Sequence, residues 1–210
     1  MPHERRSADR LPRRVVLASA NAGKQREFAA LLRELGLELL LQSSLGIEGA
    51  EEAGTTFEAN ALLKARHAAR VSALPALADD SGLAVDALDG RPGVWSARYA
   101  GPAATDEENN SKLLAELAQA RPTVRSARYV CVLAFVRSAE DPDPVLARGD
   151  WEGEIAAAPA GTHGFGYDPL FVPRGMTLHA AELDPATKNR LSHRGQAAAE
   201  LLRKLQALAW

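Results

Sequence analysis

The chain has 210 residues, 46% hydrophobic and 25% charged, with 25 basic against 27 acidic side chains and a formal net charge of −2. That length suits one domain and buries roughly 70% of the unfolded surface, enough for a core with no disulfide or metal staple. The near-neutral balance gives no electrostatic case for a duplex nucleic-acid binder or a membrane-surface protein, but leaves room for a local basic pocket that takes a small anion.

Residues 1–13 are rich in arginine (Arg5, Arg6, Arg10, Arg13), and no apolar segment of signal-peptide type follows, so they read as a flexible, solvated tail before a single domain over 14–210. Val15-Val16-Leu17-Ala18 is an apolar strand, residues 19–23 a turn, and residues 24–35 a helix with Phe28, Leu31, Leu32 and Leu35 on one side, closed by Gly36. A second strand over 37–41 completes a β-loop-α-β start, which indicates an α/β protein. Residues 48–55 form an acidic loop. Thr56 is the N-cap of a helix to about Ser72, with Phe57, Ala61, Leu62 and Ala65 on one face. Strands over 76–78 and 83–88 are expected to flank a turn at Asp79-Asp80-Ser81-Gly82.

Residues 89–104, rich in Gly and Pro, read as a loop long enough to favour a functional role. Thr105 opens a helix with acids in its first turn and Leu113, Leu114 and Leu117 as its stripe. Residues 125–136 form the longest strand, 141–144 a turn, and 145–155 the hairpin partner. The lone cysteine, Cys131, lies inside that longest strand; it cannot form an internal disulfide and suits a core position in a reducing cytoplasm. A Gly-rich segment (161–167), a short strand (170–172) and a helix from Ser192 to Leu208 finish the chain. No stretch approaches transmembrane length.

Four places carry chemistry. Adjacent carboxylates such as Asp79 and Asp80 repel and raise each other's pKa, a cost that a divalent cation relieves; Mg²⁺ favours such oxygens and arrives with substrate phosphates. The same four residues also make good turn chemistry. Ser19-Ala20-Asn21-Ala22-Gly23-Lys24 follows a strand and opens a helix, so free N–H groups and the Lys24 ammonium suit a phosphate, against the alternative of a solvated helical face for Lys24 and Glu27. It is not a Walker A loop: the glycine spacing is missing and Gln25 stands where Ser or Thr would hold Mg²⁺, so the metal needs other ligands, with Glu51-Glu52 and Asp79-Asp80 as suppliers. Gly164-Phe165-Gly166-Tyr167-Asp168-Pro169 holds an aromatic among glycines, where it can stack on a base or simply fill a turn. Lys188 to Gly195 gathers cations before the last helix, against its dipole, a cost that a nearby anion offsets.

Together these pieces resemble the inosine triphosphate pyrophosphatase family, the Ham1-like noncanonical purine NTP pyrophosphatases. The resemblance spans about Val15 to Leu208. It rests on Ser19-x-Asn21-x-x-Lys24-x-x-Glu27, Thr56-Phe57 with Asn60-Ala61 and Lys64-Ala65, Ala78 to Leu83, Pro92-Gly93 with Ser96 to Gly101, Gly164 to Pro169, and Ser192-His193-Arg194-Gly195-Gln196. Ala59 departs from it, standing where the pattern has Glu before Asn. The resemblance implies an elongated mixed β-sheet with flanking helices, forming two lobes around a central cleft, and a homodimer. It implies Mg²⁺-dependent hydrolysis of ITP, dITP and XTP to the monophosphate and pyrophosphate.

On this reading Glu52 and Asp80 are the metal-side carboxylates, Glu51 and Asp79 the second choices, and Asp80 is also the residue that orients or deprotonates the attacking water. Ser19, Ala20, Asn21, Ala22, Gly23 and Lys24 hold the triphosphate, with Ser81 from the Asp-Asp motif. The resemblance places Lys188, His193 and Arg194 near base and phosphates, and Gly166, Tyr167 and Asp168 beside Phe165, the stacking partner. Inosine and xanthine present a 6-oxo acceptor where adenine presents an amino donor. Buried donors therefore reward the former and are left unpaired by the latter, at about 1–3 kcal/mol each. Three other readings stand beside this one. A Maf-like pyrophosphatase would act on pyrimidine nucleotides, and a non-catalytic protein would bind nucleotide in the same cleft. A haloacid-type phosphatase is disfavoured because Asp79-Asp80 lacks Asp-x-Asp spacing.

Overall fold

A computed structural model describes residues 14–19, 21–31, 37–120 and 123–207. The expected tail over 1–13, the end of the first helix at Leu32, Leu35 and Gly36, and Leu208 lie outside the described residues.

Among the described residues six strands make one sheet in the order β2-β1-β3-β4-β5-β6: β1 (Arg14–Ala18), β2 (Glu38–Leu41), β3 (Ala76–Val85), β4 (Ser126–Val136), β5 (Val145–Ile155) and β6 (Phe171–Pro173). The β1 strand pairs in parallel with both β2 and β3, whereas β3 to β6 run antiparallel, so the sheet is mixed. Among the described residues five helices accompany it: α1 (Ala22–Leu31), α2 (Phe57–Ser72), α3 (Asp106–Gln119), α4 (Pro185–Leu191) and α5 (His193–Ala207).

The caps follow the residue chemistry. The Thr56 hydroxyl accepts the Ala59 N–H at the start of α2, and Thr105 with Glu108 closes a capping box on α3. Pro185 sits in the first turn of α4 behind the Asp184 cap. The 3-10 turns at Asp86–Leu88 and Gly93–Arg98 fall where the sequence reading expects strand and loop, and α4 lies in a segment it leaves unassigned, because each is too short to show a repeat.

The Asp-Asp motif is the main correction. No turn interrupts residues 79–82; they are the middle of β3, with Asp79 opposite Leu133 and Asp80 opposite Val132 in the β4 ladder. Ten consecutive pairs with β4 outweigh the local turn preference of Asp, Ser and Gly.

Period-two alternation then sorts the core. Leu77 packs with Val15, Leu17, Cys131, Leu133 and Phe135 beneath α5. Ala76 and Ala78 pack with Val16, Val130 and Val132 beneath the alanine face of α2, Ala61, Ala65, Ala68 and Ala69. Beyond the motif, Leu83 and Val85 enter a third cluster with Leu113 and Leu117 of α3, Trp151, Ile155 and Phe171. Residues 79–82 therefore occupy the junction where apolar packing hands over from one set of helices to another.

The sheet must let α5 approach closely for its first turn to reach that junction. A Cβ on Gly149 of β5 would lie 2.2 Å from the His193 carbonyl oxygen and 2.6 Å from the Ala197 nitrogen, both backbone. Gly149→Ala should lower stability by about 1–3 kcal/mol, since the helix has to lift off the sheet. Urea unfolding of the purified variant measures this, and an unchanged midpoint contradicts the close-approach account.

Candidate active site

Alternation along β3 sends Asp79 and Asp80 to opposite faces. On the α5 face the Lys24 ammonium lies 2.7 Å from Asp79, whose side chain is 1% exposed. Ser81, two residues on and on the same face, donates its hydroxyl to Asp79 at 3.0 Å and accepts from Arg194 Nη2 at 2.9 Å. Burial alone would raise the Asp79 carboxyl, but Lys24, Lys64 and Arg194 together hold it down at about 2.

A second carboxylate set anchors the cations. Glu27 of α1 takes Lys188 Nζ at 2.9 Å and Arg194 Nη1 at 3.0 Å. Asp168 takes Lys188 Nζ at 2.7 Å, the Phe165 N–H at 2.9 Å and the Tyr129 hydroxyl at 3.2 Å. Lys24, Lys188 and Arg194 are thus matched by Asp79, Glu27 and Asp168, as buried charge requires. The Phe165 ring lies against Gly23, with Lys188 Nζ and the Arg194 guanidinium carbon each 5.0 Å from its centroid.

His193 stacks on Tyr129 with centroids 4.6 Å apart and rings 6° from parallel. Burial first, then the neighbouring Arg194, Lys188 and Lys24 charges, push its imidazole well below the ordinary value, so the ring is neutral at pH 7. Both its ring nitrogens and Arg194 Nε are buried without a hydrogen-bond partner. Asn21, Lys24, Ser81, Phe165, His193 and Arg194 are among the residues around one cavity, which Gly166, Tyr167 and Asp168 also line. Lys188 does not line it; its ammonium is committed to Glu27 and Asp168 beneath.

On the α2 face Asp80 meets a different partner. Lys64 Nζ lies 2.9 Å from Asp80 Oδ1 and 2.9 Å from Glu52 Oε1, while Arg98 Nη1 holds Glu52 Oε2 at 2.9 Å. Asn60 Nδ2 donates to Asp80 Oδ2 at 3.2 Å, and Asn60 Oδ1 accepts the Gly54 N–H at 2.8 Å, tying the acidic loop to the strand. Burial pushes Asp80 above its ordinary value against the pull of Lys64 and Lys24, with the Glu52 charge adding to the rise. Burial opposes ionisation of Glu52, but Lys64 and Arg98 prevail and lower it.

Glu52 and Asp80 therefore converge, on the ammonium of Lys64. Asp79 faces away from them and Glu51 is exposed, so neither second-choice carboxylate joins the pair. Among the described residues no group of three or more His, Cys, Asp or Glu side chains forms a metal cage. Ser19 accepts a hydrogen bond from Gln25 through its carbonyl, and Asn21 caps α1 by accepting the Lys24 N–H at 3.0 Å. Ala20 lies outside the described residues, and Ala22 begins α1. The structural roles of Glu27, Asn60, Lys64 and Arg98 go beyond the sequence reading. The available signal was the four-residue spacing of Asn60 and Lys64, which places both on one helical face.

A model of the Ham1 family matches residues 15–204. A dITP/XTP pyrophosphatase of Methylococcus capsulatus is 58% identical over 93% of this chain and 98% of its own length. One of Escherichia coli K12 is 53% identical over 92% and 98%. Among solved structures, a HAM1 protein from Coxiella burnetii superposes with a TM-score of 0.87 at 48% identity, covering 92% of this chain and 98% of that one. A nucleoside-triphosphatase/dITP/XTP pyrophosphatase from Mycobacterium abscessus gives 0.73 at 44% identity, covering 91% and 99%.

The Asp79 pairing makes a pH prediction. Its folded-state pKa lies below the ordinary 3.8, so its contribution to stability is present above about 3.8 and disappears as pH falls towards 2. Asp79→Asn should therefore lower stability at neutral pH and flatten the pH dependence between about 4 and 2. Urea midpoints across that range test it, and a slope equal to wild type counts against the pairing.

Proposed function

The chain belongs to the Ham1 family, and from that premise we propose that it hydrolyses the noncanonical purine triphosphates ITP, dITP and XTP to the monophosphate and pyrophosphate. The observation that carries this reading is the divided pair on β3: Asp79 held ionised beneath a cation-lined cavity, and Asp80 raised on the opposite face beside Glu52. Neighbouring carboxyls whose environments drive their pKa values apart are how a site assigns separate roles to one residue type.

The triphosphate is placed along Lys24 and the N–H groups opening α1, where the helix dipole and the ammonium both favour anions. The base enters the cavity against Phe165. Two donors there await partners, Arg194 Nε and one ring nitrogen of the neutral His193. A 6-oxo group accepts from them; a 6-amino group cannot, and leaves buried donors unpaired. Sites built on such hydrogen bonds reject the wrong analogue by up to roughly 10⁴-fold. Lys188, fully paired below, acts by holding Asp168 and the underside of Phe165, not by reading the base.

Glu52 and Asp80 fit a magnesium ion. Their oxygens already converge on one cationic point, and Mg²⁺ takes one or two carboxylates with phosphate and water completing its shell. When bound there, the metal supplies charge neutralisation and Lewis acidity at the phosphates. Asp80 holds the water for in-line attack at the α-phosphorus and accepts its proton at a carboxylate oxygen. Its raised pKa, nearer the working pH, improves it as a base. Lys64 and Asn60 fix its orientation.

The reading includes one domain over 14–210, with the core regions on either side of residues 79–82 as the two lobes, and a homodimer in the cytoplasm. The buried thiol of Cys131 agrees with a reducing compartment, and among the described residues no helix is long and apolar enough to cross a membrane.

Incubation with ITP, XTP, dITP, GTP and ATP, with and without Mg²⁺, should yield pyrophosphate and monophosphate in equal amounts from the first three and only with metal. Orthophosphate as product, or ATP turned over as fast as ITP, overturns the assignment. Asp80→Asn should cut kcat by about 10²–10⁴-fold with the fold intact by circular dichroism, the range for loss of a general base. Phe165→Ala should raise KM for ITP by about tenfold, within the range for losing one base-stacking contact.

A further inference from the structure

The segment that carries Phe165 is a partition between two cavities. On one side lies the cavity bounded by Lys24, Ser81, His193 and Arg194, about 100 Å³, well under the roughly 300–1,000 Å³ of a typical ligand pocket. On the other side residues 161–166 cover a second cavity of about 570 Å³ against α3. Phe165, Gly166 and Asp106 line both. Where the partition stands therefore sets how much room a purine has.

Two side chains of α3 hold the partition by its backbone. Asp106 Oδ2 accepts the Gly166 N–H at 2.6 Å, and Asn110 Nδ2 donates to the Gly166 carbonyl at 3.0 Å. Both polar groups of this one residue are taken by side chains a single helical turn apart, so they lie on the same face of α3. Gly166 has a φ of +65°, a left-handed conformation that suits glycine, and it bends the chain between Phe165 and Tyr167. The Tyr167 hydroxyl donates to the Ser96 carbonyl at 2.8 Å and secures the far end. Asp106 and Asn110 touch none of the charged pairs that anchor Lys24, Lys188 and Arg194.

We propose that Asp106 and Asn110 are positioning residues: by clamping the Gly166 peptide they fix the Phe165 ring and so set the width of the base compartment. The inference rests on the base lying against Phe165. The clamp is tested in ligand-free protein by amide hydrogen exchange over 161–167. Asp106→Ala and Asn110→Ala should each speed exchange there by roughly two- to tenfold, the size of one lost hydrogen bond, while β4 exchange stays at the wild-type rate. Asp106→Asn keeps a side-chain acceptor and should restore wild-type exchange. Asn110→Asp, which removes the donor and faces the carbonyl with a carboxylate, should be at least as fast as Asn110→Ala.

In steady-state assays the alanine variants should raise KM for ITP several-fold with kcat within twofold, and Asp106→Asn should return KM to the wild-type value. Unchanged exchange in both alanine variants overturns the clamp. A fall in kcat at constant KM, or an Asp106→Asn enzyme that behaves like Asp106→Ala, overturns the positioning role. If wild-type protein does not hydrolyse ITP, the proposed activity fails. The exchange data, with the dissociation constant of IMP by calorimetry in place of KM, still decide the clamp.

Discussion

Side chains on consecutive residues of a strand cannot share a face, and the site depends on that constraint. Asp79 and Asp80 are neighbours in sequence, yet each has its own helix, its own lysine and its own electrostatic fate. Had they occupied a turn, the two carboxylates could face one cation and titrate as a coupled pair. In the strand, Lys24 answers one and Lys64 the other, so one is held strongly ionised while the other is driven up by burial. The same separation gives the two faces of one strand different electrostatic environments, with a single residue of offset.

The position of that strand explains why so many segments reach it. The β3 strand is central, joined in parallel to β1 on one side and antiparallel to β4 on the other. The parallel neighbour ends where α1 begins, which delivers Lys24 and Glu27. The antiparallel neighbour β4 carries Tyr129, and β5 beyond it carries the Gly149 gap that seats α5, which delivers His193 and Arg194. The α2 helix, lying on the opposite face, brings Lys64 and Asn60 within reach of Asp80. Apolar clusters on both sides of residues 79–82 fix these elements by burial, and the charged groups then meet with their partners already in place. Ion pairs buried in this way add little net stability against an apolar alternative, whereas removing one partner leaves an uncompensated buried charge.

Much of this was legible in the residues. Strand and helix periods located β1, α2, α3, β4, β5 and α5 within a few positions, and the helix caps at Thr56 and Thr105 were readable from local chemistry. The Asp-Asp-Ser-Gly stretch misled because its signal is local, while strand pairing with residues fifty positions later is not. Candidate site residues were legible as types near ligands, but their pairing was not. Nothing in a linear pattern says that Lys188 is used up by Glu27, 161 positions earlier, or that Lys64 stands between Glu52 and Asp80. Those facts depend on tertiary distance, which a linear pattern does not carry.

The donors left without partners are where this chain departs from ordinary packing. A buried N–H with nothing to bond costs about 1–3 kcal/mol, and natural cores rarely leave one. Here Arg194 Nε and one ring nitrogen of the neutral His193 are such donors, on two residues that line one cavity, while the other ring nitrogen is an unpartnered acceptor. The surrounding structure keeps them from finding substitutes. Glu27 takes Arg194 Nη1 and Ser81 takes Nη2, Tyr129 stacks flat on the imidazole, and the backbone of α5 is pinned to β5. Local rule-breaking that the rest of the fold holds in place is expected at sites that recognise something. An acceptor entering the cavity relieves the cost and a donor does not.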